Sequence, residues 1–274
     1  MRKKFKFSRF FVVVFLVCMS IISLFPFYIM LIMGTHKNEN LFKGLHLMPG
    51  NYLLENFRTI TSMNFLQYYK NSLIVTMTAT LGILVISILT GFAFAKMKFR
   101  FKNALFAFIL ATLMIPGQVG LVGFLMEMRV FGWNDTFLPL IIPPMASGFG
   151  VFWMKQYMEA SVPDELLEAA TMDGCGVMKS LIVIIVPLIK PAIITLFLLF
   201  FLWTWNDYLT PLVILMDQSK YTIPLSISLI GQLHRTDYAA RILSLALATL
   251  PILILFGFGS KYLIKGMVVG AIKG

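Results

Sequence analysis

The feature that most constrains the fold of this chain is a set of six long apolar runs, most of them without a single charged residue. A helix needs about 20 predominantly apolar residues to cross the roughly 30 Å of hydrocarbon in a bilayer, and each run reaches or approaches that length. Charged residues make up only 13% of the chain, against about 25% in a soluble domain. The sequence therefore predicts an all-α, polytopic membrane protein. The runs cover residues 10–35, 71–95, 103–126, 136–154, 187–216 and 242–260.

The predicted membrane domain is a single one that occupies residues 1–274, with six transmembrane helices. The first run is longer than the hydrophobic core of a signal peptide, so we interpret it as a retained span. Three prolines in the fourth run, Pro139, Pro143 and Pro144, predict a helix that is bent or starts late. Irregular backbone at membrane depth persists only against protein or a wet cavity, which favours a pore-forming bundle. We place the spans at about 10–34, 71–95, 104–126, 136–154, 187–213 and 242–261, a cytoplasmic loop at 158–185 and a cytoplasmic tail at 262–274.

The distribution of basic residues predicts the orientation. Of the 23 Lys and Arg residues, fifteen fall in the termini and in the loops on their side, and eight fall in the alternate loops. Cytoplasmic loops carry the excess of Lys and Arg, so both termini are predicted to be cytoplasmic. The basic residues lie in short clusters between apolar runs, and this pattern does not indicate nucleic-acid binding.

The loop between the fourth and fifth spans holds five of the chain's twelve acidic residues. Ser161 followed by Asp164 resembles a capping-box start, and Asp164 and Glu165 suit the positive end of a helix dipole. These residues predict the start of a short helix in the loop, and Gly174 and Gly176 predict the end of that helix. An isolated helix of about 10–12 residues is marginal in water and must pack on something. Its face is acidic rather than basic, which favours docking on a partner protein over lying on the membrane surface.

The same loop resembles a known family. The pattern Glu168-Ala169-Ala170, then Gly174, then Ile184-x-Val186-Pro187 resembles the EAA signature of bacterial ABC importer permeases, with Val186 where Leu is usual. Three further stretches are similar to the carbohydrate-uptake branch, in which a six-span subunit is one of two permeases. These stretches are Trp205-Asn206-Asp207, Tyr221-Thr-Ile-Pro-Leu225 and Gly266-Met-Val-Val-Gly-Ala-Ile-Lys-Gly274.

The resemblance implies an ABC type I importer permease fold and a subunit that couples ATP hydrolysis to carbohydrate import, with an oligosaccharide as the default. It implies a second permease forming a heterodimer, two cytoplasmic ATPases that hold ATP and Mg²⁺, an external sugar-binding protein, and a place in the bacterial cytoplasmic membrane. Monosaccharide, glycerol phosphate and alginate-like importers share the pattern. This chain has no P-loop, so it is expected to bind no cofactor and to be no enzyme. The implied coupling residues are Glu168, Ala169, Ala170, Asp173 and Gly174, and the implied ATPase-contacting tail residues are Gly266, Gly270, Lys273 and Gly274.

The fifth span carries a candidate substrate-path patch. Trp203, Trp205, Asn206 and Asp207 could face a sugar, since sugars stack on aromatic rings and bind polar groups. Alternatively, Asp207 hydrogen-bonds a neighbouring helix near the outer end of the span, because an ionisable group is costly in lipid. The outer loop at about 217–238 is expected to touch the binding protein through Gln218, Ser219, Gln232 and Arg235.

The rival class is a secondary transporter or channel. Such proteins usually carry several intramembrane charges or a paired repeat, whereas only Lys190 and Asp207 fall within the predicted spans and no repeat is clear. No metal site is expected, because the cysteines and histidines share no ligand spacing. These residues are Cys18, Cys175, His36, His46 and His234.

Overall fold

The computed structural model describes the backbone of residues 2–228 and 237–271, and the side chains of residues 9–228 and 237–260. Over that backbone every regular element is helical, which confirms the all-α prediction. Short 3-10 turns and one π turn join or extend the α-helices. In chain order the α-helices are α1 (Arg2–Met33), α2 (Leu53–Ser62), α3 (Phe65–Lys96), α4 (Lys102–Thr112), α5 (Leu121–Val130), α6 (Leu138–Ile141), α7 (Gly148–Ser161), α8 (Asp164–Met172), α9 (Val177–Ser180), α10 (Val186–Leu188), α11 (Lys190–Trp205), α12 (Leu209–Ile214), α13 (Ile223–Ile227) and α14 (Tyr238–Ala271).

Among the described residues, three helices are long and apolar enough to cross a membrane unaided: α1, α3 and α14. Two further candidates are bent pairs, α4 with α5 at 83° and α9–α10 with α11 at 79°. Pro116 lies at the first bend and Pro191 in the first turn after the second. The described residues thus contain three to five candidate spans, and six spans remains a prediction.

The fourth predicted span is the most broken. Its longest helix, α7, begins only at Gly148 and has 14 residues. It is preceded by the four-residue α6 and by a 3-10 turn at Pro143–Met145. The late start agrees with the prolines in this stretch, since each proline removes an N–H donor and crowds the preceding turn.

The chain divides into two compact units, and the first comprises residues 1–66 and 226–250. In it the segment after α1 is held by Asn56, whose Nδ2 donates to the backbone oxygens of Gly34 at 2.8 Å and His36 at 2.9 Å. Gly34 lies directly against Leu243, so that an added Cβ would lie 3.0 Å from the Leu243 Cβ.

The second unit comprises residues 67–225 and 251–274. Its main core joins α3, α7, the 181–189 segment and α11, and includes Ile83, Met154, Ile185 and Leu196, all at most 1% exposed. Gly91 on α3 permits this packing, because a Cβ there would lie 2.5 Å from the Met154 Cβ. A second cluster joins α3, α5, α6, α12 and α13.

The C-terminal helix continues beyond the predicted sixth span. The sixth span was placed at 242–261 with a separate tail from 262, but α14 continues to Ala271. Once a helix is nucleated each added residue gains a hydrogen bond, and an internal glycine costs only about 1 kcal/mol. Gly266 and Gly270 therefore lie in a helix, while Lys273 and Gly274 lie outside the described residues.

Candidate functional site

The loop helix α8 starts differently from the predicted capping box. Ser161 is the last residue of α7, and its buried Oγ has no hydrogen-bond partner among the described residues. Pro163 occupies the N-cap position of α8 without a side-chain cap. The prediction for Ser161 is therefore wrong: α7 extends through it, and Pro163, which has no N–H to be satisfied, sets the start of the next helix.

Lys96, the last residue of α3, anchors the start of α8. Its Nζ donates to Asp164 Oδ1 at 2.6 Å and also to the backbone oxygen of Val162. The Lys96 side chain is only 6% exposed, whereas the Asp164 carboxyl at the other end of the ion pair is 78% exposed. The hydrogen bond and positive charge of Lys96 lower the pKa of the Asp164 carboxyl. The N-terminus of α8 is thereby fixed to the C-terminal end of α3, a predicted span.

Gly174 forms the turn that ends α8. It has a left-handed φ of +72°, which favours glycine. Its N–H donates to Thr171 O at 3.0 Å, and the N–H of Cys175 donates to Ala170 O at 2.8 Å. These two bonds make a Schellman motif, which satisfies carbonyls that the helix leaves unpaired.

The two faces of α8 have different surroundings. Leu167 packs against the main core, and Ala170 is only 5% exposed, so both face this chain. Glu168 and Ala169 are exposed on the opposite side, together with Met172, which is 89% exposed. A methionine so exposed on a rigidly held helix is typical of an adaptable contact surface. We call Glu168, Ala169 and Met172 the outward face of α8.

A cavity of about 910 Å³ lies within the second unit. Two carboxylates line it, Glu127 from α5 and Asp207 from the turn after α11, together with Trp203. The Trp203 ring is 49% exposed, and its edge contacts with Phe149 and Phe200 have centroid distances of 5.3 Å. Other lining residues come from the broken stretches, namely Gly117, Gly120, Gly123, Pro139, Pro143 and Pro144.

The cavity explains why the helices break there. Unpaired backbone and two carboxylates are costly against lipid but not beside water. A volume of this size is within the usual range for small-molecule sites. The arrangement can therefore hold a small polar solute. Among the described residues, no group of three or more His, Cys, Asp or Glu could bind a metal ion.

The structure separates the predicted substrate-path residues. Asp207 lines the cavity, and its Oδ1 accepts a hydrogen bond from the Thr210 amide at 3.2 Å, in the first turn of α12. Trp205 is 2% exposed and stacks on Phe201 at 5.5 Å, which makes it a core residue. Asn206 is exposed and its Nδ2 donates to Leu202 O at 2.8 Å, within its own helix end.

Sequence reasoning missed Glu127 and Met172. Glu127 directly follows the uncharged run 103–126, and nothing in the local sequence singles it out. The bend between α4 and α5 shifts it to the cavity wall. Met172 sits four residues after Glu168, a spacing that places both on one helix face and could have identified it.

On the side that is predicted to face outward, Asp135 holds the segment that follows α12. It lies between the third and fourth predicted spans with φ +55°. Its Oδ1 accepts from the amides of Met216 and Asp217, each at 3.0 Å, and its Oδ2 accepts from Lys220 Nζ at 2.7 Å. These bonds, led by the one from Lys220, lower the pKa of Asp135 to about 2.

Asn71 near the start of α3 supports the same segment. Its Nδ2 donates to Ser219 O at 2.8 Å and to Tyr221 O at 3.0 Å. The first part of the predicted outer contact loop, including Gln218 and Ser219, is therefore fixed. Gln232 and Arg235 lie outside the described residues.

Comparison with known proteins agrees with this architecture. Residues 83–269 match the family described as "Binding-protein-dependent transport system inner membrane component". The chain is 33% identical over 264 residues to a putative ABC transporter permease protein of Caldicellulosiruptor, covering 95% of this chain and 96% of that one. It is 30% identical over 273 residues to the trehalose/maltose transport system permease protein MalG of Thermococcus litoralis, covering 97% and 98%.

A solved structure shares the fold. One chain of a bacterial ABC transporter involved in the import of the acidic polysaccharide alginate superposes with a TM-score of 0.80 at 20% identity, covering 94% of this chain and 96% of that chain. The family match spans more than half of the chain, and the relatives match it nearly end to end. The chain therefore belongs to the family of inner-membrane components of binding-protein-dependent transport systems, as an ABC transporter permease that is not itself an ATPase.

Proposed function

We propose that this chain forms half of the translocation path of an ATP-driven importer for a carbohydrate, with an oligosaccharide as the default. A second permease supplies the other half, two cytoplasmic ATPases hold ATP and Mg²⁺, and an external sugar-binding protein delivers the solute. The printed names of relatives support the substrate class, since they include transport systems for trehalose and maltose and for arabinooligosaccharides. The cavity beside Trp203 supports it as well, because aromatic rings suit the apolar faces of sugars.

We further propose six spans with both termini cytoplasmic. The broken stretch from α6 through α7 would make the fourth crossing, shortened because it lines the cavity rather than lipid. Six crossings return the chain to its starting side, in agreement with the excess of basic residues there.

The observation that carries the coupling role is the outward face of α8, which is exposed on a helix held at its start by Lys96 and capped at its end by Gly174. Glu168 offers a charge, Ala169 permits close approach and Met172 offers an apolar side chain, so this face suits a cleft of an ATPase. Asp173 and Gly174 shape the helix end beside it. Ala170 acts in packing on this chain, and its contribution to docking is indirect.

We also propose that the end of α14, with Gly266 and Gly270, and the last residues Lys273 and Gly274 contact the ATPase subunits. For the solute path we keep Asp207 and Trp203, both at the cavity wall. Trp205 and Asn206 support that wall from the core and the helix end.

The test is a pair of substitutions in α8 of the reconstituted complex. Ala169→Asp puts a carboxylate on the outward face and should abolish uptake stimulated by the binding protein. Thr171→Asp adds the same charge at another exposed position of the same helix and should retain most of it. Both sites are exposed in this chain, so neither change disturbs its own core. Equal uptake and ATPase stimulation by the parent and Ala169→Asp complexes would rule out the docking role.

A further inference from the structure

Resting on the proposed import function, we propose that Glu127 and Asp207 select solutes by charge. They make the cavity electronegative, so that it admits uncharged polyhydroxylated solutes and rejects anionic ones such as phosphate esters and uronates. Selection by charge would narrow the substrate class that the family pattern leaves open.

Among the described residues, the wall of the cavity contains acidic side chains and no basic ones. The eighteen residues that line it include two carboxylates and no Lys, Arg or His. Among the side chains that the structure describes, neither Glu127 nor Asp207 forms an ion pair. The wall of this chain therefore presents a charge of −2 when both groups are ionised.

The surroundings strengthen the effect of that charge. Most of the wall is apolar, with Leu121, Phe124, Leu140 and Phe200 beside the carboxylates. A cleft lined by one sign of charge and bounded by low-dielectric walls focuses the field, and counterions screen it less than on an open surface. An anion entering the cavity is repelled by both groups at once.

The same groups favour a neutral sugar. Ionised carboxylates only accept hydrogen bonds, and hydroxyl groups can donate them. The amide of Thr210 holds one oxygen of Asp207, which fixes the orientation of the carboxylate at the wall. Trp203, with half its surface exposed, offers an apolar face to the ring of the solute. Hydroxyl-rich neutral molecules satisfy both kinds of contact, whereas anions meet repulsion.

The test measures the potential in the cavity without needing the sugar. In the assembled transporter, Cys18 and Cys175 are replaced by alanine, and Thr204, which lines the cavity, is replaced by cysteine. The thiol is reacted with a trimethylammonium methanethiosulfonate and with a sulfonate methanethiosulfonate. Each rate is divided by that of a small free thiol, which removes the intrinsic reactivity of the reagent.

We expect the normalised rate of the cationic reagent to exceed that of the sulfonate reagent at least tenfold. The quotient of these two rates is the ratio compared below. Glu127→Gln and Asp207→Asn should each lower that ratio several-fold, and the double variant should bring it close to one. Glu127→Gln keeps the side-chain size and disturbs no hydrogen bond that the described residues show, so it remains informative if Asp207→Asn fails to fold. A matched cysteine at Ser62, exposed in α2, should show no change with Glu127→Gln.

Three results would overturn the proposal: a ratio near one in the parent, a preference for the sulfonate, or no reaction with either reagent. A transporter that imports no sugar but retains the expected ratio would instead contradict the proposed function alone. The two failures are thus distinguishable.

Discussion

Replacing Asp135 should loosen the outer segment that follows α12. Its carboxylate holds the amides of Met216 and Asp217 and the ammonium of Lys220. These bonds lower the pKa from 3.8 to about 2, and at 1.36 kcal/mol per unit that shift corresponds to at most about 2.4 kcal/mol. The side chain is 28% exposed, so solvent screening reduces the contribution to about 1–2 kcal/mol.

Two substitutions separate charge from backbone conformation. Asp135→Asn keeps an acceptor and tolerates the left-handed φ, so it should lose the ion pair and only part of the amide bonds. Asp135→Ala loses every acceptor and is strained at φ +55° by about 1 kcal/mol more. Local stability should therefore decrease from the parent to Asp135→Asn and further to Asp135→Ala.

The measurement is amide hydrogen exchange of the peptide covering residues 214–221 in the assembled transporter. A loss of about 1–2 kcal/mol corresponds to exchange roughly 5–30-fold faster, after correction for intrinsic rates. Asp173→Asn removes the same charge from the exposed residue that directly follows α8, and it should leave this peptide unchanged. Unchanged exchange in Asp135→Ala would refute the anchoring role.

The sign of the pH dependence follows from the lowered pKa. A carboxyl whose folded pKa lies below its unfolded value contributes its full stabilisation above about pH 4. That contribution is lost as the pH falls through about 2. Protection of the segment in the parent should therefore not vary between pH 5 and pH 8 on account of Asp135.

Three further predictions concern packing, the C-terminus and the outer loop. Gly91→Ala should destabilise the protein by about 1–3 kcal/mol, because the added Cβ overpacks against Met154, and should lower its apparent melting temperature in detergent. Gly257→Ala, with open space around the added Cβ, should leave the melting temperature unchanged. Equal melting temperatures of the two variants would contradict the close packing at Gly91. Deleting residues 268–274 should leave the chain inserted but reduce coupled ATPase activity, and a truncated complex that transports at the parent rate would show that this end is dispensable. Cysteines introduced across residues 217–221 should cross-link to the binding protein, and a lack of adducts at every position would argue against docking there.

The sequence by itself determined that the apolar runs form membrane helices and that the loop helix α8 ends at Gly174. Transfer of an apolar run to lipid depends on composition and length, so the runs predict membrane helices whatever their neighbours are. The turn at Gly174 was predictable for a similar reason, because a left-handed helix end depends on one residue's conformational freedom. Both are properties of short stretches of chain.

Only the tertiary structure decided where the helices bend and which side chains meet. Run length does not distinguish a straight helix from α4 and α5 bent by 83°, since both bury the same apolar residues in lipid or protein. Glu127 and Asp207 share a cavity because α5 packs near α12, and no local pattern records a contact across 80 positions. Ala170 and Ala169 look alike in the sequence, yet Ala170 is buried and Ala169 is exposed, because α8 packs on the core through the face that carries Leu167.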